Sequence, residues 1–202
     1  MKFSNPNSLP ASLREQISYR DLVQGERLFR RGDAANYFHI VDTGKIWLVR
    51  PTIEHKTATL QFAKSGDIVG ENALFEDVYS CSAVANIPSR VIVYDRSCLS
   101  RIIQNYPDLV EDLFQKLTQK IDYFQTNLEL RDIKAAHQRV LQYLKYAADP
   151  QLRTIHIDYP LQDIARQLGF TPATLSRALS KLESDGFITR KSNLITLNND
   201  VA

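Results

Sequence analysis

At Pro107 the apolar residues of this chain change their spacing, and no other feature limits its fold as strongly. Upstream, from about Ser18 to Asp95, short apolar runs are cut by Gly25, Gly32-Asp33, Thr43-Gly44, Ser65-Gly66-Asp67 and Pro88-Ser89, residues suited to tight turns. Turns at such regular spacing predict an all-β sandwich or barrel. Within Thr57-Ala58-Thr59-Leu60-Gln61-Phe62 the apolar side chains alternate, which places Ala58, Leu60 and Phe62 on one face of a half-buried strand. Ile46 and Leu48, then Val91 and Val93, repeat that period. Downstream, Val110, Leu113, Leu117, Ile121, Phe124 and Leu128 recur every three or four residues, with Glu111, Asp112, Lys116, Lys120 and Asp122 between them. Pro107 suits the first turn of that helix, where its missing N–H has no partner to lose. Extended to about Leu130, the helix measures roughly 36 Å at about 1.5 Å per residue, more than a small domain needs. The narrow stripe suggests a helix that pairs with its twin; a core helix within one chain is the alternative.

Two small domains fit into 202 residues, and a composition of 44% hydrophobic and 24% charged residues is that of a folded globular chain. The stretch Met1 to Leu13 lacks a basic region followed by an apolar run, and no segment approaches the roughly 20 apolar residues that span a bilayer. A cytoplasmic protein with no membrane partner is expected. Cys81 and Cys98 are too few for a disulfide framework, a structural zinc site or an iron–sulfur cluster, and they are expected to be unreactive buried thiols. His39, His55, His137 and His156 stand isolated and make a weak case for haem. Residues 1–133 carry 16 basic and 17 acidic side chains, against 9 and 6 in residues 134–202, so the C-terminal third is the better polyanion binder.

That third also holds the most informative pattern. A helix is predicted over about Ala135 to Ala148, stopping near Asp149-Pro150. Leu161, Ile164, Ala165 and Leu168 then make one apolar face of a short helix ending at Gly169, and Thr171-Pro172 opens another. On the second helix Leu175, Leu179 and Leu182 face inward before Asp185-Gly186 closes it. Ala173, Thr174, Ser176, Arg177, Ser180 and Lys181 are left outward, with two positive charges, three hydroxyls and no acid. Such a face suits the major groove, because arginine can donate two hydrogen bonds to a guanine edge while hydroxyls, lysine and a helix N-terminus hold phosphates. Phe187 to Arg190, a Lys191-Ser192-Asn193 turn and Leu194 to Leu197 read as a β-hairpin wing that brings Arg190 and Lys191 near a DNA backbone.

With these parts in this order, the chain resembles the CRP/FNR family of bacterial transcription regulators. Gly25-Glu26-Arg27-Leu28-Phe29, Arg31-Gly32-Asp33, Tyr37-Phe38-His39-Ile40 and Thr43-Gly44-Lys45-Ile46-Trp47-Leu48 look like its opening strands. Gly70-Glu71-Asn72-Ala73-Leu74-Phe75 is similar to the start of its phosphate-binding cassette, and Gly169 through Arg177 follows its turn and recognition helix. The resemblance implies an α+β chain: a jelly-roll-like antiparallel β-roll over 1–106, a dimerisation helix over 107–134 and a winged helix-turn-helix over 135–202. It implies a homodimer on double-stranded DNA, with Thr171, Pro172, Ala173, Thr174, Ser176, Arg177, Lys181, Arg190 and Lys191 at the interface, and RNA polymerase as a partner in activation. An effector pocket would draw on Gly70, Glu71, Cys81, Ser82, Phe124 and Gln125.

Two departures qualify the resemblance. Where nucleotide-binding members carry an arginine before Ser/Thr-Ala, this chain reads Cys81-Ser82-Ala83, and Phe124-Gln125 stands where cyclic-AMP-binding relatives carry small hydroxyl residues. Cyclic AMP is therefore not the expected effector. Gly70 and Glu71 keep two readings, a backbone N–H with a ribose-binding carboxylate, or a turn glycine with a solvated acid. Ala173 stands where many relatives place the glutamate that reads a TTGA-type half-site, which leaves Arg177 as the main base reader and implies a different half-site. No P-loop, His-Glu-x-x-His or Gly-x-Ser-x-Gly pattern supports an enzyme. The remaining alternative is a β-roll ligand sensor that regulates a protein partner rather than DNA.

Overall fold

The computed structural model describes residues 2–53, 57–157 and 160–198; His55 lies outside them. The chain divides into two compact units, Met1–Lys120 and Ile121–Ala202. In the first, a short helix α1 (Ala11–Arg14) precedes eight strands: β1 (Ile17–Leu22), β2 (Arg27–Phe29), β3 (Tyr37–Thr43), β4 (Lys45–Pro51), β5 (Thr57–Lys64), β6 (Ile68–Val69), β7 (Ser82–Ala85) and β8 (Ser89–Asp95). They form two antiparallel four-stranded sheets, ordered β1-β8-β3-β6 and β2-β7-β4-β5. Leu22, Val41 and Val91 of one sheet meet Ile46, Leu48 and Ala83 of the other in a shared core.

The first sheet is covered on its other face too. Phe38, Ile40, Ile92 and Tyr94 pack there with Phe3, Leu13, Leu99 and Ile102, the last two from α2 (Cys98–Asn105). Burial on both faces accounts for the unbroken apolar run Val91-Ile92-Val93. In β5 the period was right and the phase wrong: Gln61 and Ala63 are buried, whereas Leu60 is 39% exposed. The neighbouring strand decides this, since Ile46 and Leu48 face the core and pair directly with Ala63 and Gln61. Phe62 instead meets Trp47 edge-on, ring centroids 6.0 Å apart.

The long helix α3 runs from Pro107 to Asp132, and the division between units falls within it. Its apolar stripe serves two ends. Leu113 is buried and Val110 and Leu117 half-buried against the core of the first unit, while Ile121, Phe124 and Leu128 are exposed, as is Phe114. Lys120, read from sequence as part of the solvated side, has a side chain only 9% exposed.

The second unit contains α4 (Ala136–Ala147), β9 (Thr154–His156), α5 (Leu161–Gln167), α6 (Pro172–Ser184), β10 (Ile188–Lys191) and β11 (Leu194–Leu197), with the strands ordered β10-β11-β9. Val140, Leu144, Ile164, Leu168, Leu175, Leu179, Leu182 and Ile195 share one core. Leu161 is exposed rather than inward, because it occupies the first position of α5 and the buried surface begins at Asp163. Arg139 ties the unit together: its guanidinium donates to the carbonyls of Ile133 (2.9 Å), Leu168 (3.0 Å) and Arg131 (3.0 Å) and lies 4.7 Å from the Phe170 ring centroid. Three carbonyls left over at the ends of α3 and α5 thereby gain a cationic donor.

Candidate nucleic-acid interface and sensor cassette

Between α5 and α6 the chain turns within Gly169-Phe170-Thr171. Gly169 takes φ of 71°, the left-handed geometry that a helix C-terminus often needs and that glycine adopts without strain. Thr171 caps α6, its Oγ1 accepting from the Thr174 N–H at 3.2 Å, and Pro172 fills the first turn. Leu175, Ala178, Leu179 and Leu182 anchor the inner side of α6. Ala173, Ser176, Arg177, Ser180 and Lys181 lie exposed on the outer side, with Thr174 half-buried beside them.

The charges on this surface are not equally free. Arg177 donates from Nε to the Ala173 carbonyl one turn back at 3.4 Å, a long contact on an exposed side chain. Lys181 pairs with Asp185 at 3.0 Å, an exposed i,i+4 pair of small energetic weight. Arg190 differs. Its Nε donates to Glu183 at 2.8 Å, its Nη2 reaches the same carboxylate, and its backbone N–H donates to the other carboxylate oxygen at 3.1 Å. Those hydrogen bonds hold the Glu183 carboxyl below its ordinary pKa. Arg190 therefore staples the wing to α6, and the sequence does not show Glu183 as its partner because the two are joined only through the turn that ends α6.

The wing is a two-residue hairpin. Lys191 pairs with Leu194 as the last strand residue rather than lying in the turn, and Ser192 takes φ of 53° at the tip. Lys191 is exposed beside it. The third strand, β9, has three residues, too few to show a period in the sequence.

In the first unit, Gly70 takes φ of 76° ahead of a 3-10 turn, Glu71–Leu74. A β-carbon there would come to 3.0 Å of Tyr79 and 3.3 Å of Phe29, so any other residue would both crowd these rings and strain the backbone. The Glu71 carboxylate holds Lys120 Nζ at 2.5 Å, with the lysine side chain almost fully enclosed. Cys81 is buried, and burial, followed by the nearby Glu71 charge, pushes its thiol pKa up. Ser82 Oγ accepts from the Arg31 N–H at 3.0 Å. The guanidinium that does reach this corner is that of Arg50, whose Nε donates to the Ser80 carbonyl at 3.2 Å. Gly70, Glu71, Cys81 and Ser82 thus belong to one unit. Phe124 and Gln125 lie on the part of α3 that belongs to the other, both exposed. Cys98 is also buried, its thiol pushed up to about 11 by burial.

A double β-sheet unit carrying a glycine-led cassette, joined to a capped helix-turn-helix with a wing, defines a regulator with a sensor-like and a DNA-binding part. Known proteins agree. A family model described as a cyclic nucleotide-binding domain matches residues 19–106, and one described as a Crp-like helix-turn-helix domain matches residues 138–200. The cyclic AMP receptor protein of Thermus thermophilus is 25% identical over 170 residues, 82% of this chain and 76% of that protein. The CRP-like cAMP-activated global transcriptional regulator of Mycobacterium tuberculosis is 23% identical over 196 residues, 93% and 87% of the two chains. A solved structure of a CooA mutant from Carboxydothermus hydrogenoformans shares the fold at TM-score 0.79 and 18% identity, covering 98% of this chain and 91% of the other. The chain belongs to the CRP/FNR-type transcription regulators and has a helix-turn-helix DNA-binding domain.

Proposed function

We propose that the protein acts as a homodimer on a near-palindromic DNA site, with residues 107–134 as the dimerisation helix and α6 of each copy in successive major grooves about 34 Å apart. The observation that carries this is the outer face of α6: Ala173, Ser176, Arg177, Ser180 and Lys181 exposed together, beside a threonine-capped N-terminus. Arg177 reads base edges, Thr171, Thr174, Ser176 and Lys181 position the phosphates, and Lys191 at the wing tip adds a backbone contact. Arg190 acts indirectly, by fixing the wing through Glu183. Ala173 replaces the half-site glutamate with an apolar contact. The exposed apolar residues of α3 support pairing with a second copy. A cytoplasmic regulator without enzymatic activity fits the regulators it resembles.

The cassette does not fit a cyclic nucleotide. A cyclic phosphodiester keeps a full negative charge, and Cys81 supplies a neutral buried thiol where its arginine would stand. One oxygen of Glu71, Oε1, is already engaged by Lys120. An effector other than cyclic AMP is the reading that these contacts favour.

Selection of duplexes from a randomised pool, followed by titration at several salt concentrations, tests the proposal. The wild-type protein should select an imperfect palindrome and lose affinity steeply with salt. Arg177→Ala should lose discrimination at its base position, about 1–3 kcal/mol, while remaining dimeric. Unchanged discrimination in Arg177→Ala would remove Arg177 from its role.

A further inference from the structure

The wing meets α6 along an unpaired strand edge. In the order β10-β11-β9, strand β10 has a neighbour on one side only, so alternate backbone N–H groups along it point away from the sheet and need another acceptor. At Arg190 that acceptor is Glu183. The N–H donates to Glu183 Oε1 at 3.1 Å, and the side chain of the same residue returns to Oε2 through Nε at 2.8 Å and Nη2 at 2.5 Å. One carboxylate of α6 thus holds both the main chain and the guanidinium of a single wing residue.

Elsewhere the hairpin is fixed from other directions. At its base Asn198 donates from Nδ2 to the Gly186 carbonyl at 2.6 Å and from its N–H to the Phe187 carbonyl at 3.0 Å. Ile188 and Ile195 turn into the core of the unit. Nearer the tip, a cleft of about 630 Å³ opens between Leu179 of α6 and Ser192-Asn193 of the wing, with Glu183 and Arg190 in its walls. Among the described residues, every side-chain hydrogen bond between α6 and β10 ends on Arg190: those to Glu183, and a long one to Ser180 Oγ at 3.4 Å.

We infer that Glu183 is a positioning residue for DNA binding: through Arg190 it fixes the edge strand of the wing, and with it the place where Lys191 meets the phosphate backbone. This rests on the reading of α6 and the wing as DNA-contacting elements. Lys191 is the next residue, exposed, and the last to pair before the turn. Successive side chains of a strand leave on opposite faces, so holding Arg190 against α6 directs Lys191 away from the helix. The sign is the unexpected part. A carboxylate beside a polyanion ordinarily weakens binding, whereas Glu183 strengthens it by what it holds.

Two substitutions with opposite effects on charge test this. Glu183→Ala removes an anion and Arg190→Ala a cation, so electrostatics alone must move duplex affinity in opposite directions, while loss of the contact moves both the same way. The two side chains are 38% and 31% exposed, and alanine suits a helix, so both variants should fold. On the duplex that the wild-type protein selects, each should bind about fivefold more weakly or worse, and the double variant should lose no more than the weaker single one. Glu183→Gln keeps an acceptor oxygen and should recover part of the loss. Lys191→Ala should lower the slope of log affinity against log salt by about 0.9 in the wild-type background and by less than half of that in Glu183→Ala. Without DNA, amide hydrogen exchange at Arg190 should quicken about tenfold or more in Glu183→Ala. Duplex affinity of Glu183→Ala equal to or above wild type, the same slope loss for Lys191→Ala in both backgrounds, or unchanged exchange at Arg190 would each overturn the inference and leave the DNA-binding reading standing. A wild-type protein that binds no duplex would instead overturn that reading, and this inference with it.

Discussion

Single residues in this chain reveal themselves when they answer to their immediate neighbours and hide when they answer to distant ones. Gly169, Thr171 and Pro172 serve a turn only a few residues long, and their sequence reading matches their geometry. Arg139 serves three carbonyls as far away as Leu168, and nothing near it in sequence shows this. Arg139→Ala should therefore destabilise the C-terminal unit by about 3 kcal/mol in denaturant titrations, since carbonyls that had a cationic donor lose it. Arg139→Lys should recover little, because an ammonium lacks the planar fork that spans three acceptors. His39 sets a pH dependence of a known sign. Its folded pKa, about 4, lies below the ordinary value of 6.5, so the unfolded chain binds more protons between the two. Stability from this group is full above about pH 6.5 and is lost as pH falls through 4, by an amount on the order of 3 kcal/mol. Denaturation midpoints measured from pH 7 to 4 should fall less in His39→Phe than in wild type.

Elements were legible where a period is enough to define them. The eight-residue β5 shows its alternation plainly, yet the choice of buried face belongs to β4, whose Ile46 and Leu48 point inward and carry Ala63 and Gln61 with them. The three residues of β9 have no period to read and take their place only through pairing with Leu194 to Thr196. Helix α3 showed its stripe but not its division of labour, because burial of Leu113 and exposure of Leu128 differ in partner, not in residue type. If the exposed end is a dimer seam, charge placed there must break it. Ile121→Glu combined with Leu128→Glu removes four apolar side chains from a symmetric interface, each worth about 1.5–3 kcal/mol when buried. Sedimentation should show dimer dissociation strengthened at least about 100-fold, with the helical content of the monomer retained. A wild-type protein that sediments as a monomer at micromolar concentration would remove the seam altogether.

At the scale of the whole molecule, the cassette bears on whether a cyclic nucleotide binds at all. The resemblance to cyclic-AMP-responsive regulators and the chemistry of the cassette point in different directions, and the energies involved decide between them. An arginine contact to a phosphate is worth roughly 1.5–3 kcal/mol, about one to two orders of magnitude in affinity, and Cys81 provides none of it. Lys120, a cation whose side chain is 9% exposed, would be stranded by a ligand that drew Glu71 Oε1 away, so only Oε2, which has no hydrogen-bond partner, is open to a ligand hydroxyl. The missing guanidinium opposes the nucleotide, and Lys120 narrows what the carboxylate can offer it. Cyclic AMP up to millimolar concentration should therefore leave the DNA affinity of the wild-type protein unchanged. The double variant Cys81→Arg with Lys120→Ala reverses both terms, supplying the guanidinium and releasing the carboxylate, and its affinity for cyclic AMP should rise about tenfold or more over wild type in calorimetry. Lys120→Ala alone should gain less, because the phosphate would still lack its counter-charge. Micromolar binding of cyclic AMP by the wild-type protein would show that another cation, with Arg50 the first to test, already does what the missing arginine does elsewhere in the family.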